Sequence, residues 1–182
     1  MLRHYLLIYS TKSMIERTAQ KGFTLIELIV VFSIISILST FSIASFVNYS
    51  RAQTLDGAKN DVISMLNVAK SRSQSQIIPT GCSGTLLSYS VTVYKDNSGA
   101  PTYPIGSYVL TATCSGNATP IQLLLKKLTS GLNFDATLTT ISTVSFSVLT
   151  GAVTGTGNIV INYPGFGLTS KTISVSSVGV IQ

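Results

Sequence analysis

From Phe23 to Val47 the chain runs for about 25 residues with one ionisable side chain, Glu27. At 1.5 Å per residue a helix of that run is roughly 37 Å long, enough to cross the hydrocarbon of a bilayer with some tilt. Placing a charged carboxylate there costs about 2.5 to 3.5 kcal/mol on insertion scales, so Glu27 is read as a functional residue that needs a partner. An ordinary secretory signal has a shorter apolar stretch and a small-x-small cleavage site. Ser42-Ile43-Ala44 would serve as the latter, but the run is too long and contains Glu27. Arg3, Lys12, Arg17 and Lys21 precede it against a single Glu16. That bias places the N-terminus in the cytoplasm and everything after Arg51 outside.

The run opens with Lys21-Gly22-Phe23-Thr24-Leu25-Ile26-Glu27-Leu28. This segment resembles the class III signal of type IV pilins and of the pseudopilins of type II secretion. The resemblance implies that a prepilin peptidase cuts between Gly22 and Phe23 and methylates the new N-terminus, Phe23. It also implies that Glu27 meets the N-terminal amine of a neighbouring subunit. The partners it implies are that peptidase and methyltransferase, other pilin or pseudopilin subunits, a membrane assembly platform and the lipid bilayer. Within the leader, Tyr5-Leu6-Leu7-Ile8-Tyr9 is an apolar patch that a peptidase substrate does not need, and Met14 opens a compact alternative. Met14 is the expected start. His4, the one histidine, leaves with the leader on either start.

Removing residues 1–22 leaves about 160, enough for an anchor helix and one small domain. The expected divisions are a leader over 1–22, a membrane and assembly helix over 23–47, an amphipathic continuation over 48–78 and a β-rich extracytoplasmic domain over 79–182. The leader holds four of the 12 Lys and Arg residues and one of the six acids, leaving eight bases against five acids. Charge this sparse forms no dense patch for nucleic acid.

No proline falls between Phe23 and Ile78, so one continuous helix is allowed past the apolar run. Ala52, Leu55, Ala58, Val62, Leu66 and Ala69 recur every three or four residues and form one apolar stripe. Gly57 is either a tolerated surface glycine or the softest point of the helix. Ile77-Ile78-Pro79-Thr80-Gly81 supplies the stop. Beyond it, alternating apolar positions predict strands near Leu86–Lys95, Ser107–Cys114, Ile121–Leu125, Val144–Leu149, Asn158–Tyr163 and Lys171–Ile181. Asp96-Asn97-Ser98-Gly99 and the Gly151–Gly157 segment read as turns between them. With no helical pattern returning, βαβ crossovers are excluded. The expected fold is α+β: a long N-terminal helix packed on an antiparallel β-sheet or small sandwich, as in pilins.

Several segments narrow the resemblance to the GspH/FimT-like minor pilins. They are Ala69-Lys70-Ser71-Arg72-Ser73-Gln74-Ser75-Gln76 near the helix end, Val144-Ser145-Phe146 leading into the glycine-rich Gly151–Gly157, Ile159-Val160-Ile161, and the ending from Lys171 to Ile181. Such proteins usually follow the last glycine with a basic residue, where this chain has Val180 after Gly179. The expected function is a structural minor pilin or pseudopilin subunit of a type IV pilus or type II secretion pseudopilus. The alternatives are a major pilin, or a nucleic-acid-binding minor pilin of a DNA-uptake pilus with Lys126, Lys127 and Lys171 as phosphate contacts.

Cys82 and Cys114 lie on the outward side, where disulfides persist; they form either a structural bridge or two buried thiols. An enzyme is not expected. After processing the candidate acid/base or ligand groups are Asp56, Asp61, Asp96, Asp135 and Glu27, without a histidine or cysteines at zinc spacing. Asp56 and Asp61 sit at helical surface spacings where solvation or contact with neighbouring subunits is the ordinary role. Gly151-Ala152-Val153-Thr154-Gly155-Thr156-Gly157 lacks the Gly-Lys-Ser/Thr ending of a phosphate loop. No cofactor and no metal are expected.

Overall fold

Residues 22–96, 102–165 and 170–182 are described by the computed structural model, and one helix, α1, spans Leu25–Gln74. The leader residues through Lys21, with His4 and Met14, lie outside the described residues, as do Asn97, Ser98 and Gly99 of the turn expected after Asp96. The chain divides between Ala44 and Ser45 into two units. In the first, the apolar side chains from Phe23 to Leu38 are exposed.

In the second unit α1 buries one stripe. Leu55, Ala58, Val62, Met65, Leu66 and Ala69 recur at three- and four-residue steps and are all buried, while Ala52 is half-buried. Each fully buried Leu, Val or Met side chain contributes on the order of 1.5–3 kcal/mol, so this stripe fixes the helix to its sheets. Gly57 lies on the exposed side, and a Cβ there would meet nothing within 4 Å. It is a tolerated surface glycine within an unbroken helix.

The helix stops earlier than the Pro79–Gly81 signal suggests. Gln76 adopts φ 52°; its N–H donates to Ser73 O at 3.4 Å and the Ile77 N–H donates to Arg72 O at 3.2 Å. These two bonds are the Schellman closure, which usually places glycine where Gln76 stands. Without a glycine at that position, nothing in the sequence pointed to it.

Among the described residues eight strands follow: β1 Leu86–Val93, β2 Ser107–Cys114, β3 Ile121–Lys127, β4 Asn133–Phe134, β5 Thr143–Ser147, β6 Val153–Thr154, β7 Gly157–Asn162 and β8 Lys171–Val175. They form a five-stranded sheet in the order β3-β2-β1-β5-β6 and a three-stranded sheet in the order β4-β7-β8. All pairings are antiparallel. The fold is therefore α+β, a long helix on antiparallel sheets.

Alternation decides the faces. Tyr89, Val91 and Val93 of β1, Tyr108, Leu110 and Ala112 of β2, and Val144 and Phe146 of β5 are buried in one cluster with the helix stripe and with Ile159, Ile161, Ile173 and Val175 of the smaller sheet. Tyr108 stands edge-on to Phe134 with ring centroids 6.2 Å apart. Burial, with a smaller contribution from Asp61, pushes its phenol up to about 12. The opposite face of the larger sheet carries hydroxyls: Ser90 and Ser145 share a hydrogen bond of 2.7 Å, and Thr92 and Thr143 one of 3.1 Å.

Three strand expectations are corrected. The Gly151–Gly157 turn contains β6, paired to β5, and its return depends on Gly155, which has φ 88° and no room for a Cβ, since one would lie 2.1 Å from Thr143 O. Asn133–Phe134 forms the short edge strand β4, too brief for periodicity to reveal. The last strand ends at Val175 rather than Ile181: the chain turns at Gly179, and Ser174 and Gln182 exchange backbone hydrogen bonds of 2.9 and 3.1 Å. The alternation of Val178 and Val180 imitates a strand that the glycine folds back.

Cys82, in the connection from α1 to β1, is bonded to Cys114 at the end of β2, with a Cα–Cα distance of 5.7 Å and a sequence separation of 32. The surrounding backbone is held as well. Ser83 N–H donates to Asn117 Oδ1 at 2.6 Å, Asn117 Nδ2 donates to Gly81 O at 3.1 Å, and the Gly116 N–H donates to Ser83 O at 2.9 Å. In the chain-entropy account a bridge of this span stabilises by roughly 3–4 kcal/mol. Cys114→Ser should therefore lower the unfolding midpoint of the oxidised protein, and alkylation before reduction should label neither cysteine of the wild type. Gln76→Gly should act in the opposite direction: relieving the left-handed conformation outweighs the added freedom of the unfolded chain by about 0.5–1 kcal/mol. In thermal denaturation this appears as a rise of roughly 2–4 °C.

Candidate functional site

Glu27 sits at the third position of α1, and the geometry around it is a helix cap. The Thr24 Oγ1 accepts a hydrogen bond from the Glu27 N–H at 3.3 Å, and the Leu28 N–H donates to Thr24 O at 3.2 Å. Thr24-Leu25-Ile26-Glu27 thus has the Thr-x-x-Glu spacing of a capping box, in which the threonine satisfies one orphan N–H and the glutamate stands beside the others. A negative charge in the first turn is also favoured by the helix dipole. Sequence reasoning overlooked this cap, although the spacing was visible. Gly22 and Phe23 precede it outside regular secondary structure, with Phe23 75% exposed.

Three hydroxyls of this segment are satisfied within the helix. Ser33 Oγ donates to Ile29 O at 2.6 Å, Ser39 Oγ to Ile35 O at 2.7 Å and Thr40 Oγ1 to Ile37 O at 2.7 Å. Such bonds to the preceding turn remove the need for outside partners. Among the described residues the Glu27 carboxylate has no ion pair. The helix is long and apolar enough to cross a membrane, with mean hydropathy 2.3 over its best window.

The other candidate residues lie in the second unit. Asp56 and Asp61, expected to face solvent or neighbours, reach back to the strands: Lys171 Nζ is 2.7 Å from Asp56 Oδ1, and Lys126 Nζ is 3.9 Å from Asp61 Oδ1. The helix carboxylates therefore meet two of the three lysines considered as phosphate contacts. Lys126 and Lys127 end β3 and Lys171 begins β8, on different sheets. Lys127 is exposed and has no ion pair among the described residues. Lys70 Nζ donates to Gly179 O at 2.8 Å, fastening the C-terminal turn to the helix.

Asp135 is a structural clamp. Its Oδ1 accepts from the Leu138 N–H at 2.9 Å and from the Thr137 N–H and hydroxyl at 2.9 and 2.7 Å, and its Oδ2 accepts from Asn162 Nδ2 at 2.7 Å. These bonds, led by the one from Leu138, hold its carboxyl below the usual aspartate value. Among the described residues, the open cavities of this unit include two of moderate size. One of about 410 Å³ is lined by Asn158, Ser174, Val178 and Gln182 among others, and one of about 330 Å³ by Gln76, Ile78, Thr85 and Leu149 among others. Neither lining includes an ionisable side chain. Among the described residues no three His, Cys, Asp or Glu side chains gather where a metal could sit.

Residues 17–43 match the family model for the prokaryotic N-terminal methylation motif. The chain carries the class III signal of type IV pilins. The match ends within the apolar helix, and no curated protein or solved structure matches the chain. The motif implies processing by a prepilin peptidase and assembly with other pilin subunits.

The Asp135 clamp predicts a pH dependence. Because the folded-state value lies below the unfolded one, the stabilisation is complete above the ordinary aspartate range and is lost as pH falls through the folded value. Asp135→Ala should therefore lower the thermal midpoint at neutral pH, and the gap from wild type should close as the solution is acidified through that range. A gap unchanged in strong acid would mean that the side chain acts through packing alone.

Proposed function

We propose that this chain is a structural subunit of the pilin type: cut between Gly22 and Phe23, methylated at Phe23, held in the cytoplasmic membrane by residues 23–47 and then polymerised through that helix. The exposed apolar helix with one carboxylate, inside a matched N-terminal methylation motif, carries this reading. Exposed apolar surface of this extent needs lipid or neighbouring helices, and a filament supplies the second when the first is left behind. The basic residues Arg3, Lys12, Arg17 and Lys21 support a cytoplasmic N-terminus and an external C-terminal domain. In the family's terms the role proposed is a minor pilin or pseudopilin of the GspH/FimT-like kind. The pairing of Lys126 and Lys171 with Asp61 and Asp56 weighs against a nucleic-acid role, since phosphate would have to displace those carboxylates.

Cleavage at Gly22 creates a cationic amine on Phe23. Two opposite charges about 4 Å apart attract by roughly 4 kcal/mol at an effective dielectric near 20, before desolvation is subtracted. The amine precedes its own Glu27 by about one helical turn along the same axis, whereas a neighbour shifted along the filament can present its amine directly.

Mass spectrometry of membrane-extracted protein should find a mature chain that begins with N-methylated Phe23, and Gly22→Glu should leave the leader attached. A chain that begins at Ser45, or one that retains Lys21, defeats the proposal. Filament incorporation tests Glu27. Glu27→Leu should insert in the membrane normally but appear at less than about a tenth of the wild-type level in sheared filaments, because a pair worth a few kcal/mol is lost. Glu27→Gln separates the two roles of the side chain, since glutamine can replace glutamate in a capping box but carries no charge. Filaments that accept the Gln variant as well as wild type would reduce Glu27 to a helix cap.

A further inference from the structure

The larger sheet has one long open edge. β3 ends the strand order, its seven residues are Ile121-Gln122-Leu123-Leu124-Leu125-Lys126-Lys127, and among the described residues its ladder bonds go to β2 alone. At the opposite edge β6 has two residues. β3 is also more exposed than β2, which is buried on both faces from Ser107 to Leu110. Leu124 pairs with the core residue Leu110 and Leu125 with Val109, so the two leucines lie on opposite faces of the sheet, and they remain 43% and 42% exposed. A strand whose outer backbone row is open, and whose apolar side chains are exposed on both faces, is a template for pairing with another extended chain. Lysines are one device that blunts such edges, but here both stand at its C-terminal end; within Ile121–Leu125 the Gln122 Oε1 accepts from Tyr103 Oη at 2.7 Å, while the outer backbone row pairs with no strand among the described residues.

We propose that β3 is a strand-addition site for an extended segment of another protein that carries two adjacent apolar residues with acidic residues on their N-terminal side. The antiparallel sense follows the two sheets, in which every pairing is antiparallel. In that sense the first residues of the incoming segment fall opposite Lys127 and Lys126, and the next two fall opposite Leu125 and Leu124. Charge selects an acidic partner. Lys127 has no ion pair among the described residues and carries that selection, since Lys126 is already paired with Asp61 at 3.9 Å. A second copy of β3 fits less well: paired antiparallel about Leu124, it would bring four lysines to the joint edge and set Ile121 and Gln122, not carboxylates, against them. The backbone ladder would supply affinity, the leucines would favour apolar residues on both faces, and Lys127 would fix direction.

The test uses the full chain in detergent and a labelled heptapeptide, Glu-Glu-Val-Val-Thr-Val-Thr, with blocked ends. Binding should slow amide hydrogen exchange within residues 121–127 and leave β6 unchanged. A peptide that begins Lys-Lys should bind several-fold more weakly, in keeping with the modest worth of exposed charge pairs. Lys127→Glu, a surface change that should leave the fold intact, should invert that preference. A reversed peptide, with its two glutamates at the C-terminal end, should lose affinity if pairing is antiparallel. Peptide binding without protection of β3, or a preference that Lys127→Glu leaves unaltered, overturns the proposal. So does self-crosslinking of a Leu125→Cys variant at a stoichiometry that excludes peptide, which would give the edge to a second copy.

Discussion

In hydrocarbon a backbone N–H or C=O without a partner costs several kcal/mol, and water is not there to supply one. That constraint forces residues 25–47 to be helical if they are to lie in a bilayer, and much of the rest follows. A helix satisfies its own backbone, so its side chains are free to be apolar, and Ser33, Ser39 and Thr40 return their hydroxyls to the preceding turn. Beyond Ser45 the same secondary structure is kept for a different reason. There the stripe from Leu55 to Ala69 is buried against β-sheets, the opposite side carries Asn60 and Asn67 toward water, and Asp56 and Asp61 flank the stripe beside the sheet lysines. One element thus passes from a region where every face is apolar to one where a single face is.

Those two patterns are why the helix could be read in advance. An apolar run of membrane length and a three- and four-residue stripe are both local, and each predicts helix without knowledge of what it packs on. The longer strands were legible for the same reason, because alternation is local. What the sequence concealed was decided by contacts distant along the chain. β6 exists because Gly155 lets the chain approach Thr143, and β8 stops because Gly179 turns the chain beneath Lys70. At the end of α1 a glutamine occupies the left-handed position that glycine usually marks, so the signal for that cap was absent rather than misread.

Asp56 and Asp61 show the same limit within the candidate site. Their spacing identified them as surface residues of a helix, which they are. It could not tell that Lys171 and Lys126 would be brought beside them from two different sheets. Exposed pairs of this kind contribute about 0–1 kcal/mol each, far less than the buried stripe, so they do not hold the helix in place. Their effect is on charge: three exposed lysines in the sequence become, in the folded domain, two paired cations and Lys127. A basic isoelectric point therefore overstates what this surface offers to a polyanion.

The cap at Thr24 alters how the carboxylate of Glu27 should be understood. A charge buried in lipid with no partner would be costly at every stage before assembly, when no neighbour is at hand. At the third position of a helix the carboxylate instead lies in the first turn, where the positive end of the dipole lessens that cost. The cap does not neutralise the charge, because the dipole amounts to about half an elementary charge and the Thr24 bond involves the Glu27 backbone rather than its carboxylate. In the proposed filament a neighbour's amine would add a full opposite charge at the same place. An acid made tolerable in a lone subunit by its place in the first turn would then keep its strongest interaction for assembly, which is the condition a group needs if its affinity is to appear only there.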